Sequence, residues 1–294
     1  MERTKPSKKP DAILTSDWHL RETQPTCRTD DFWRTQWTKV DFVRHLQQEH
    51  NCPVFHAGDL FHHWKPSPQL LSYAIACIPD EFYTIYGQHD LPQHNWEARD
   101  KSGIWTMETA RTLKTFKGVH WGQEPDINKL SIKIHHREVL VWHKMVWQGK
   151  RLWPGQKDPS TIAVLKKYPE YDLILTGDNH KTFVEEYGKQ ILVNPGSLTR
   201  QKADQIDHKP CVFLYYASDN SVVPHYIPIT DGVVQRNHID KEDARKERIN
   251  AYIERLHDDW EIEFSFEKNL ERFFSTNKIR KNVQKLVQTA IEQK

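Results

Sequence analysis

The sequence lacks the cysteine spacing, the apolar runs and the charge excess that would assign it to several protein classes. Its four cysteines show no C-x-x-C spacing, which excludes a zinc knuckle, a dithiol redox site and a disulfide framework. The apolar run after the basic N-terminus has about four residues, too few for a signal peptide or a membrane span. With 42 basic and 40 acidic residues, no global field marks a nucleic-acid or membrane binder. We therefore expect a soluble cytoplasmic protein. The balanced net charge does not exclude a local basic groove.

What the sequence does contain is a series of short apolar runs that each stop on Asp or His. These runs are AILTSDWH (12–19), PVFHAGD (53–59), FYTIYGQHD (82–90), VLVWH (139–143) and YDLILTGDNH (171–180). Residues 37–48 and 68–78 have helical spacing, and this alternation is typical of an α/β domain. Residues just past the carboxyl ends of strands converge on one rim of an open sheet, so we expect the polar groups to form one site.

Beyond residue 117 the pattern changes to paired strands, which would enlarge the first sheet or build a second. Segments 129–143, 183–197 and 211–229 predict hairpins that turn at His136 and Arg137, at Gly188, and at Asp219 and Asn220. The C-terminal part is helical in composition, with about three amphipathic helices expected around 249–256, 270–274 and 279–290. We therefore divide the chain into a catalytic domain, 1–232, and a segment, 233–294, that is either a helical cap or a docking module.

The candidate metal ligands combine carboxylates and imidazoles without thiolates. Candidate site residues at the strand ends are Asp17, His19, Asp59, Gln88, His89, Asp90, His143, Asp178 and His180. Such oxygen and nitrogen donors suit Mn, Fe or Zn better than Ca, and the lack of thiolates disfavours a structural zinc. The set is too large for one ion with open positions, whereas two ions that share a bridging carboxylate would use it fully.

Five of these segments, taken in order, resemble the motifs of a known family. SDWHL, AGDLF, GQHD, VWH and GDNH resemble the DxH, GD, GNHD, H and GHxH motifs of calcineurin-like metallophosphoesterases. The resemblance covers about residues 10–230. It implies an αββα sandwich of two mixed sheets flanked by helices, here followed by the C-terminal helical segment. It also implies hydrolysis of phosphate esters by a hydroxide that bridges two metal ions.

The resemblance implies a role for each matching residue. Metal one would be bound by Asp17, His19 and His180. Asp59 matches the carboxylate that bridges both ions, and His143 matches a ligand of metal two. His89 matches the general acid that protonates the leaving alkoxide, and Asp90 matches the residue that orients it.

Two positions depart from the family pattern, and both belong to metal two. Gln88 stands where the third motif has Asn, so its longer side chain can bind the metal only if the backbone retreats. Asp178 stands where the last motif has its first His, and its anionic oxygen favours harder ions such as Mn or Mg. We expect two divalent ions, with Mn favoured over Fe, Mg or Zn, and a second site that is weaker or differently selective.

Within the superfamily the chain looks most like the nuclease subunits of SbcCD-type DNA exonucleases and their phage-encoded relatives. The segments that carry this likeness are SDWHL, HAGDLFHHWKPS, YGQHDLPQHN and VNPGSLTRQ. It implies a Mn-dependent DNA nuclease of repair or recombination, in the host cytoplasm if phage-encoded. It also implies an ABC-type coiled-coil ATPase as a partner for the C-terminal helices, and we add a homodimer as an alternative assembly.

Two further groups of residues near the motifs have open interpretations. Ser197 and Arg200 in VNPGSLTRQ would either grip a substrate phosphate or form a surface turn. Tryptophans near the motifs would either stack on bases or pack in the core; they are Trp18, Trp64, Trp96, Trp142 and Trp147.

Two other functions are compatible with the sequence. One is a phosphatase or phosphodiesterase that acts on small molecules or phosphoproteins. The other is a non-catalytic scaffold whose second metal site has degenerated. Degeneration predicts loss of the general acid and of the bridging ligand, and because His89 and Asp59 are both present we favour an enzyme.

Overall fold

The computed structural model describes residues 8–126, 132–151, 153–236, 248–249 and 266–292. The chain divides into two compact units, residues 1–235 and 236–294, and each is described by itself. Strands of the first unit are β1 (Ala12–Thr15), β2 (Val54–His56), β3 (Phe82–Thr84), β4 (Lys114–Thr115), β5 (Ile132–Ile134), β6 (Arg137–His143), β7 (Leu173–Gly177), β8 (Phe183–Tyr187), β9 (Gln190–Asn194), β10 (Cys211–Tyr216) and β11 (Ser221–Tyr226). Its helices are α1 (Phe32–His50), α2 (Pro68–Cys77), α3 (Gly103–Thr109) and α4 (Thr161–Lys167).

The strands form two mixed sheets. The first has the order β11-β10-β1-β2-β3-β4 and the second has the order β5-β6-β7-β9-β8. In the first sheet β1 to β4 run parallel, and β10 joins β1 antiparallel. In the second sheet β6, β7 and β9 run parallel. The carboxyl ends of β1, β2, β3, β6 and β7 are the ends that precede the polar motifs.

Alternating side chains of the strands build three apolar layers. Ala12 and Leu14 of β1 pack between the two sheets, together with Val139 and Val141 of β6. Ile13 points the other way, into a cluster with α1, α2 and α3. The outer face of the second sheet packs on α4 through Leu140, Trp142, Ile174, Val164 and Leu165. This arrangement of helix, sheet, sheet and helix confirms the predicted αββα sandwich.

Polar residues set where the helices begin. Asp31 accepts a hydrogen bond from the backbone of Arg34, so α1 starts five residues before the apolar spacing predicted. Ser67 caps α2, with Pro68 at the first helical position. Ser102 and Ser160 cap α3 and α4 in the same way.

One predicted turn is displaced by a residue. The hairpin of β5 and β6 turns at His135 and His136, because Ile134 pairs with Arg137 and closes a two-residue turn. Arg137, placed in the turn by the prediction, instead starts β6. Its guanidinium donates to the Ala217 carbonyl of the first sheet and to Asp172 before β7. These contacts between the two sheets hold Arg137 in the strand.

The described part of the second unit contains two helices, α5 (Phe266–Thr276) and α6 (Lys281–Glu292). Both are strongly amphipathic, as their spacing predicts, and Phe273, Val283 and Leu286 are exposed. The helix expected around 249–256 lies outside the described residues. No described helix has the length and apolar character needed to cross a membrane.

Asn220, in the turn between β10 and β11, ties the two sheets together. Its buried amide donates to the carbonyl oxygens of Asp172 and Lys189, which flank strands of the second sheet. Its carbonyl accepts from the Tyr215 hydroxyl at 2.8 Å. The backbone of Asn220 has a φ of 50°, so it combines a left-handed turn with three polar contacts.

We predict that Asn220→Gly lowers the free energy of unfolding by about 1–3 kcal/mol, because glycine keeps the turn but leaves buried polar groups unpaired. Urea denaturation measures the change. Asn51→Gly is the matched control: Asn51 has a φ of 45° at an exposed position and no side-chain hydrogen bond within the described structure, so it should change stability little. Equal effects of the two substitutions would contradict the assigned role of Asn220.

Candidate metal centre

The backbone bends sharply at four of the predicted ligands. Asp17, His19, Asp59 and Asp178 all have positive φ, at 51°, 45°, 58° and 80°. Residues with a Cβ rarely adopt this conformation, and such strain clusters at functional sites. The bends turn side chains from both sheets towards one rim.

The Asp59 carboxylate lies at the middle of the centre. Its Oδ2 atom is 3.6 Å from His19 Nε2 and also 3.6 Å from His143 Nε2. Oδ2 is buried and has no hydrogen-bond partner within the described part of the chain, whereas Oδ1 accepts from the backbone N–H of His89. One oxygen equidistant from two imidazoles is the arrangement that a carboxylate bridging two cations requires.

Asp17, His19 and His180 form one group beside Asp59. The Nε2 atoms of His19 and His180 are 3.0 Å apart, and Asp17 Oδ1 is 3.9 Å from His19 Nε2. Burial lowers the pKa of His19 well below its usual value, and burial with the nearby Lys202 lowers that of His180 to about 4. Both imidazoles are therefore neutral near pH 7, which is the form that binds metals.

His143, Gln88 and Asp178 form the second group. The Gln88 side chain lies between the other two: Oε1 is 2.7 Å from His143 Nε2, and Nε2 donates to Asp178 Oδ1 at 2.7 Å. His143 Nδ1 donates to the Ala57 carbonyl, so its Nε2 faces the centre. The two residues that depart from the family pattern thus contact each other, and the extra methylene of Gln88 lets the amide reach Asp178.

Burial and uncompensated negative charge shift the pKa values of the groups at the centre. Burial raises the pKa of Asp17, His143 opposes this and Asp59 reinforces it, so that the pKa is about 7. Burial alone would lower the pKa of His143, but Asp59, Asp17 and Asp178 outweigh it and raise the pKa to about 10. Without cations, a proton on His143 therefore balances part of the carboxylate charge.

The centre leaves no room for larger residues at two glycines. A Cβ at Gly87 would overlap Asp59 Oδ1. A Cβ at Gly58, where φ is +91°, would lie 2.6 Å from His143 Nδ1. The backbone must approach the carboxylate and the imidazole this closely to hold them in place.

The structure corrects the role expected of Asp90. Its carboxylate accepts hydrogen bonds from the backbone N–H groups of Asp59, Leu60, Phe61 and Gly87. No hydrogen bond among the described residues joins it to the His89 ring, whose Nδ1 instead lies 2.9 Å from the His62 carbonyl oxygen. Asp90 therefore fixes the turns that carry the centre, and the His62 carbonyl orients His89.

His62 itself is a residue that the sequence analysis missed. Its ring stacks on His89 with centroids 5.5 Å apart and meets the edge of His19. Among the described residues, three groups could hold an ion: Asp17 with His19 and His180, Asp17 with Asp59 and His143, and His19 with His62 and His89. The doubled histidine in AGDLFHHW, directly after the second motif, was the available signal.

Two cavities open over the centre. A small one of about 100 Å³ is lined by His19, His62, His89 and His180 with Arg21, Ser197, Thr199 and Lys202. A larger one of about 360 Å³ is lined by Gln88, His89, Asp178 and His180 with Lys181, Lys202 and the exposed Trp153. Neither cavity includes any of the five tryptophans considered from the sequence. Trp18 and Trp142 are buried in the core.

Ser197 and Arg200 do not act together at this centre. The buried Ser197 hydroxyl accepts from Gln205 at 2.7 Å, and its phosphate contact stays a prediction. The Arg200 guanidinium donates to the carbonyl oxygens of Ile206 and Thr230 and lines a different cavity. A joint grip on one phosphate is excluded in this arrangement because the two side chains face different cavities.

The donor set fits two divalent cations. Asp17 Oδ2 and Asp59 Oδ2 are buried without hydrogen bonds among the described residues, and neutral or displaceable imidazoles surround them. Metal one would be held by the group with His19 and His180, and metal two by the group with His143 and Asp178. The Asp59 carboxylate would be common to both.

Comparison with known proteins gives one family match. A model of the calcineurin-like phosphoesterase superfamily domain matches residues 12–217. A search of curated proteins returned no significant match.

Solved structures resemble the chain at low sequence identity. An archaeal phosphodiesterase is 13% identical, with a TM-score of 0.42 over 74% of this chain and 99% of that one. A zinc-complexed Vps29 from Entamoeba histolytica is 14% identical, with a TM-score of 0.36 over 74% and 97%. A metallophosphoesterase from Sphaerobacter thermophilus is 12% identical, with a TM-score of 0.37 over 74% and 89%.

We predict that Mn binding at pH 8 releases about one proton per chain, because a cation displaces the proton from His143. The proton and the Mn ion compete for His143, so the apparent affinity for Mn should rise as the pH increases towards 10. Calorimetry in two buffers of different ionisation enthalpy counts the protons. His143→Gln should abolish the release, whereas His45→Gln, at an exposed position on α1, should retain it. Binding heats that do not depend on the buffer would contradict the prediction.

Proposed function

The chain belongs to the calcineurin-like phosphoesterase superfamily, and we propose that it is a metal-dependent phosphodiesterase that cleaves DNA. The observation that carries the proposal is the Asp59 Oδ2 atom, 3.6 Å from both His19 and His143 and without a hydrogen bond within the described residues. Two divalent cations at such a centre would bind phosphoryl oxygens and lower the pKa of water.

The protein side chains position the ester and supply a proton. His89 lines both cavities, and its Nδ1–H donates to the His62 carbonyl, so a proton on Nε2 would be available for transfer when the imidazole is in its cationic form. Proton donation to the leaving alkoxide by such a group accelerates ester cleavage by about 10²- to 10⁴-fold. Asp90 and the two close glycines keep Asp59 and His89 at a fixed separation.

The surroundings of the larger cavity support DNA as the substrate. Trp153 is 47% exposed at its edge, where its indole could stack on a base. Lys181 and Lys202 line the same cavity, and Arg21 lines the smaller one, so cations are available for backbone phosphates. The likeness of four sequence segments to SbcCD-type nuclease subunits, including phage-encoded ones, points the same way.

Manganese is the cation we propose. Asp17, Asp59 and Asp178 place three carboxylates beside His143, and Gln88 adds an amide oxygen. Oxygen-rich sites of this kind prefer Mn over softer ions.

The second unit is proposed to dock a partner. Its described helices α5 and α6 expose Phe273, Val283 and Leu286, and amphipathic helices with such residues fit the groove of another protein. An ABC-type coiled-coil ATPase is the partner that the nuclease proposal implies.

Activity assays test the proposal directly. The purified chain is incubated with Mn and, separately, with labelled single-stranded DNA, double-stranded DNA and bis-p-nitrophenyl phosphate. We expect cleavage of DNA and of the small diester, and loss of both with a chelator. Cleavage of the small diester alone would refute the nuclease proposal. No cleavage with Mn, Mg, Fe or Zn would refute the enzyme and favour a scaffold.

His89→Ala should lower the rate on DNA by about 10²- to 10⁴-fold, because it removes the ring that would donate the proton. The loss should be smaller for bis-p-nitrophenyl phosphate, whose leaving group needs little protonation. Mn stoichiometry, measured by calorimetry, should remain that of the wild type. His63→Ala, an exposed histidine outside both cavities, is the matched control. Equal losses on both substrates would remove His89 from the proton-donor role.

Asp178→His and Gln88→Asn should each weaken the binding of one Mn ion by about 10- to 100-fold, because each breaks the contact between these side chains. The double substitution restores the family pattern. It should therefore recover two-ion binding and shift the preference towards Zn. Competition titrations of Mn and Zn measure this, and circular dichroism checks folding. If the double variant loses Mn affinity by the product of the two single fold-changes, the Gln88–Asp178 contact does not contribute to binding of the second ion.

A further inference from the structure

A third cavity, separate from the two that open over the metal centre, carries four cationic side chains among its nine lining residues. It has a volume of about 250 Å³, and its lining residues are Arg28, Arg34, Thr35, Thr38, Lys39, Arg200, Pro228, Ile229 and Thr230. Thr199 and Gln201 line the small cavity over the metal centre, whereas Arg200 between them lines this one. We call it the basic cavity; none of its residues belongs to the metal centre.

Three of the cations are buried, although carboxylates are scarce around them. Arg28, Lys39 and Arg200 are only 6%, 5% and 4% exposed. Asp30 pairs with Arg28 through two hydrogen bonds, from Nε at 2.8 Å and from Nη2 at 2.5 Å. Asp231 attracts Arg200 but forms no ion pair within the described structure. Buried charges are costly unless they are paired, so the cavity has a charge deficit that an anion would fill.

Within the described structure, the side chains of Lys39 and Arg200 donate hydrogen bonds to carbonyl groups alone. Lys39 Nζ donates to Pro228 O at 3.0 Å, which leaves two of its N–H groups. Arg200 donates to Ile206 O and Thr230 O. At the mouth, the exposed Arg34 side chain has no hydrogen bond or ion pair among the described residues. Several donors are therefore available to a ligand.

The cations also repel one another. Burial lowers the pKa of Lys39 to about 8, and Arg200 and Arg28 contribute to that shift. Burial and Arg28 lower the pKa of Arg200 as well. Lys39 remains mostly charged at pH 7, so its repulsion from the two guanidinium groups persists in the folded protein.

We propose that the basic cavity binds the phosphate group of a small ligand, inorganic phosphate or a nucleoside monophosphate. The Arg34 guanidinium offers a phosphate parallel N–H donors, and Lys39 adds a point charge. Arg28 and Arg200 contribute positive charge, while their guanidinium groups keep their hydrogen bonds within the protein. The volume is below the roughly 300–1,000 Å³ of drug-sized sites, which excludes larger compounds as the whole ligand. This site goes beyond the proposed catalytic function and does not depend on it.

Calorimetry on the full chain tests the proposal, with inorganic phosphate and then deoxyadenosine monophosphate as probes at low salt. Each titration is run with Mn and again with a chelator, which removes the metal centre as a phosphate site. We expect one phosphate to bind in the presence of chelator, and a further phosphate to bind at the metal centre when Mn is present. No binding in the presence of chelator would overturn the proposal, whatever the catalytic assays give. Retained binding by a chain that cleaves nothing would overturn only the enzyme.

Arg34→Gln should weaken the chelator-resistant binding about 3- to 10-fold, since one exposed charged donor is lost. Arg34→Lys should fall between the wild type and Arg34→Gln. Arg44→Gln, on the same helix beside Asp41, is the matched control and should bind like the wild type. Lys39→Met keeps the aliphatic stem and should weaken binding by more than 10-fold, with folding checked by thermal unfolding. Unchanged affinity in Arg34→Gln or in folded Lys39→Met would refute the site.

A single-stranded oligonucleotide is the third probe. Weaker binding of the oligonucleotide than of the mononucleotide is expected, because the cavity is small. If the oligonucleotide binds in a manner that depends on Arg34 while phosphate and the mononucleotide do not bind, the site is a backbone contact for nucleic acid and the small-ligand proposal is wrong.

Discussion

The placement of the Asp59 carboxylate between two buried imidazoles is the constraint on which the rest of the first unit depends. A buried charge must be paired, and Asp59 is flanked by Asp17 and Asp178 as well as by His19 and His143. Sharp bends with positive φ bring these groups together. The Asp90 carboxylate accepts hydrogen bonds from four backbone N–H groups and so holds the bends in place. The two sheets are joined at Asn220 and hold the strand ends in place, although the backbone conformation at those ends is unfavourable.

Gln88 and Asp178, the two residues that depart from the family pattern, form a single coupled structural change. A histidine at position 178 would present a ring nitrogen, whereas Asp178 presents an oxygen that needs a donor when no cation is near. Gln88 supplies that donor from its amide and keeps its oxygen towards His143. Asn in the same backbone position would be shorter by one methylene. The longer residue at 88 and the shorter, charged residue at 178 therefore complement each other in length and in hydrogen bonding.

The sequence predicted the sheets and the rim because both follow from local patterns. Apolar runs that end on Asp or His mark strand ends, and parallel strands bring those ends together whatever the details of packing. The failures concern side-chain direction, which depends on contacts far away in the chain. Asp90 adjoins His89 in sequence, yet its carboxylate faces the backbone of residues 59–61. Trp18 and Trp142 adjoin predicted metal ligands and are buried in the core, which is one of the two alternatives that the sequence left open. Trp153 follows no motif and could be located only in three dimensions.

The nearly neutral net charge conceals two strong local fields of opposite sign. The metal centre gathers three carboxylates, and the basic cavity gathers buried cations with a single hydrogen-bonded carboxylate. Segment 197–201 separates them, because Thr199 and Gln201 line the small cavity over the metal centre and Arg200 lines the basic cavity. Gln201 also donates to the carbonyl oxygen of His19, so the segment directly contacts the loop that carries the predicted metal ligands Asp17 and His19. A cation bound at the metal centre and an anion bound in the basic cavity would each reduce the local charge. The folded chain accommodates both concentrations of charge because one hydrogen-bonded segment holds them apart.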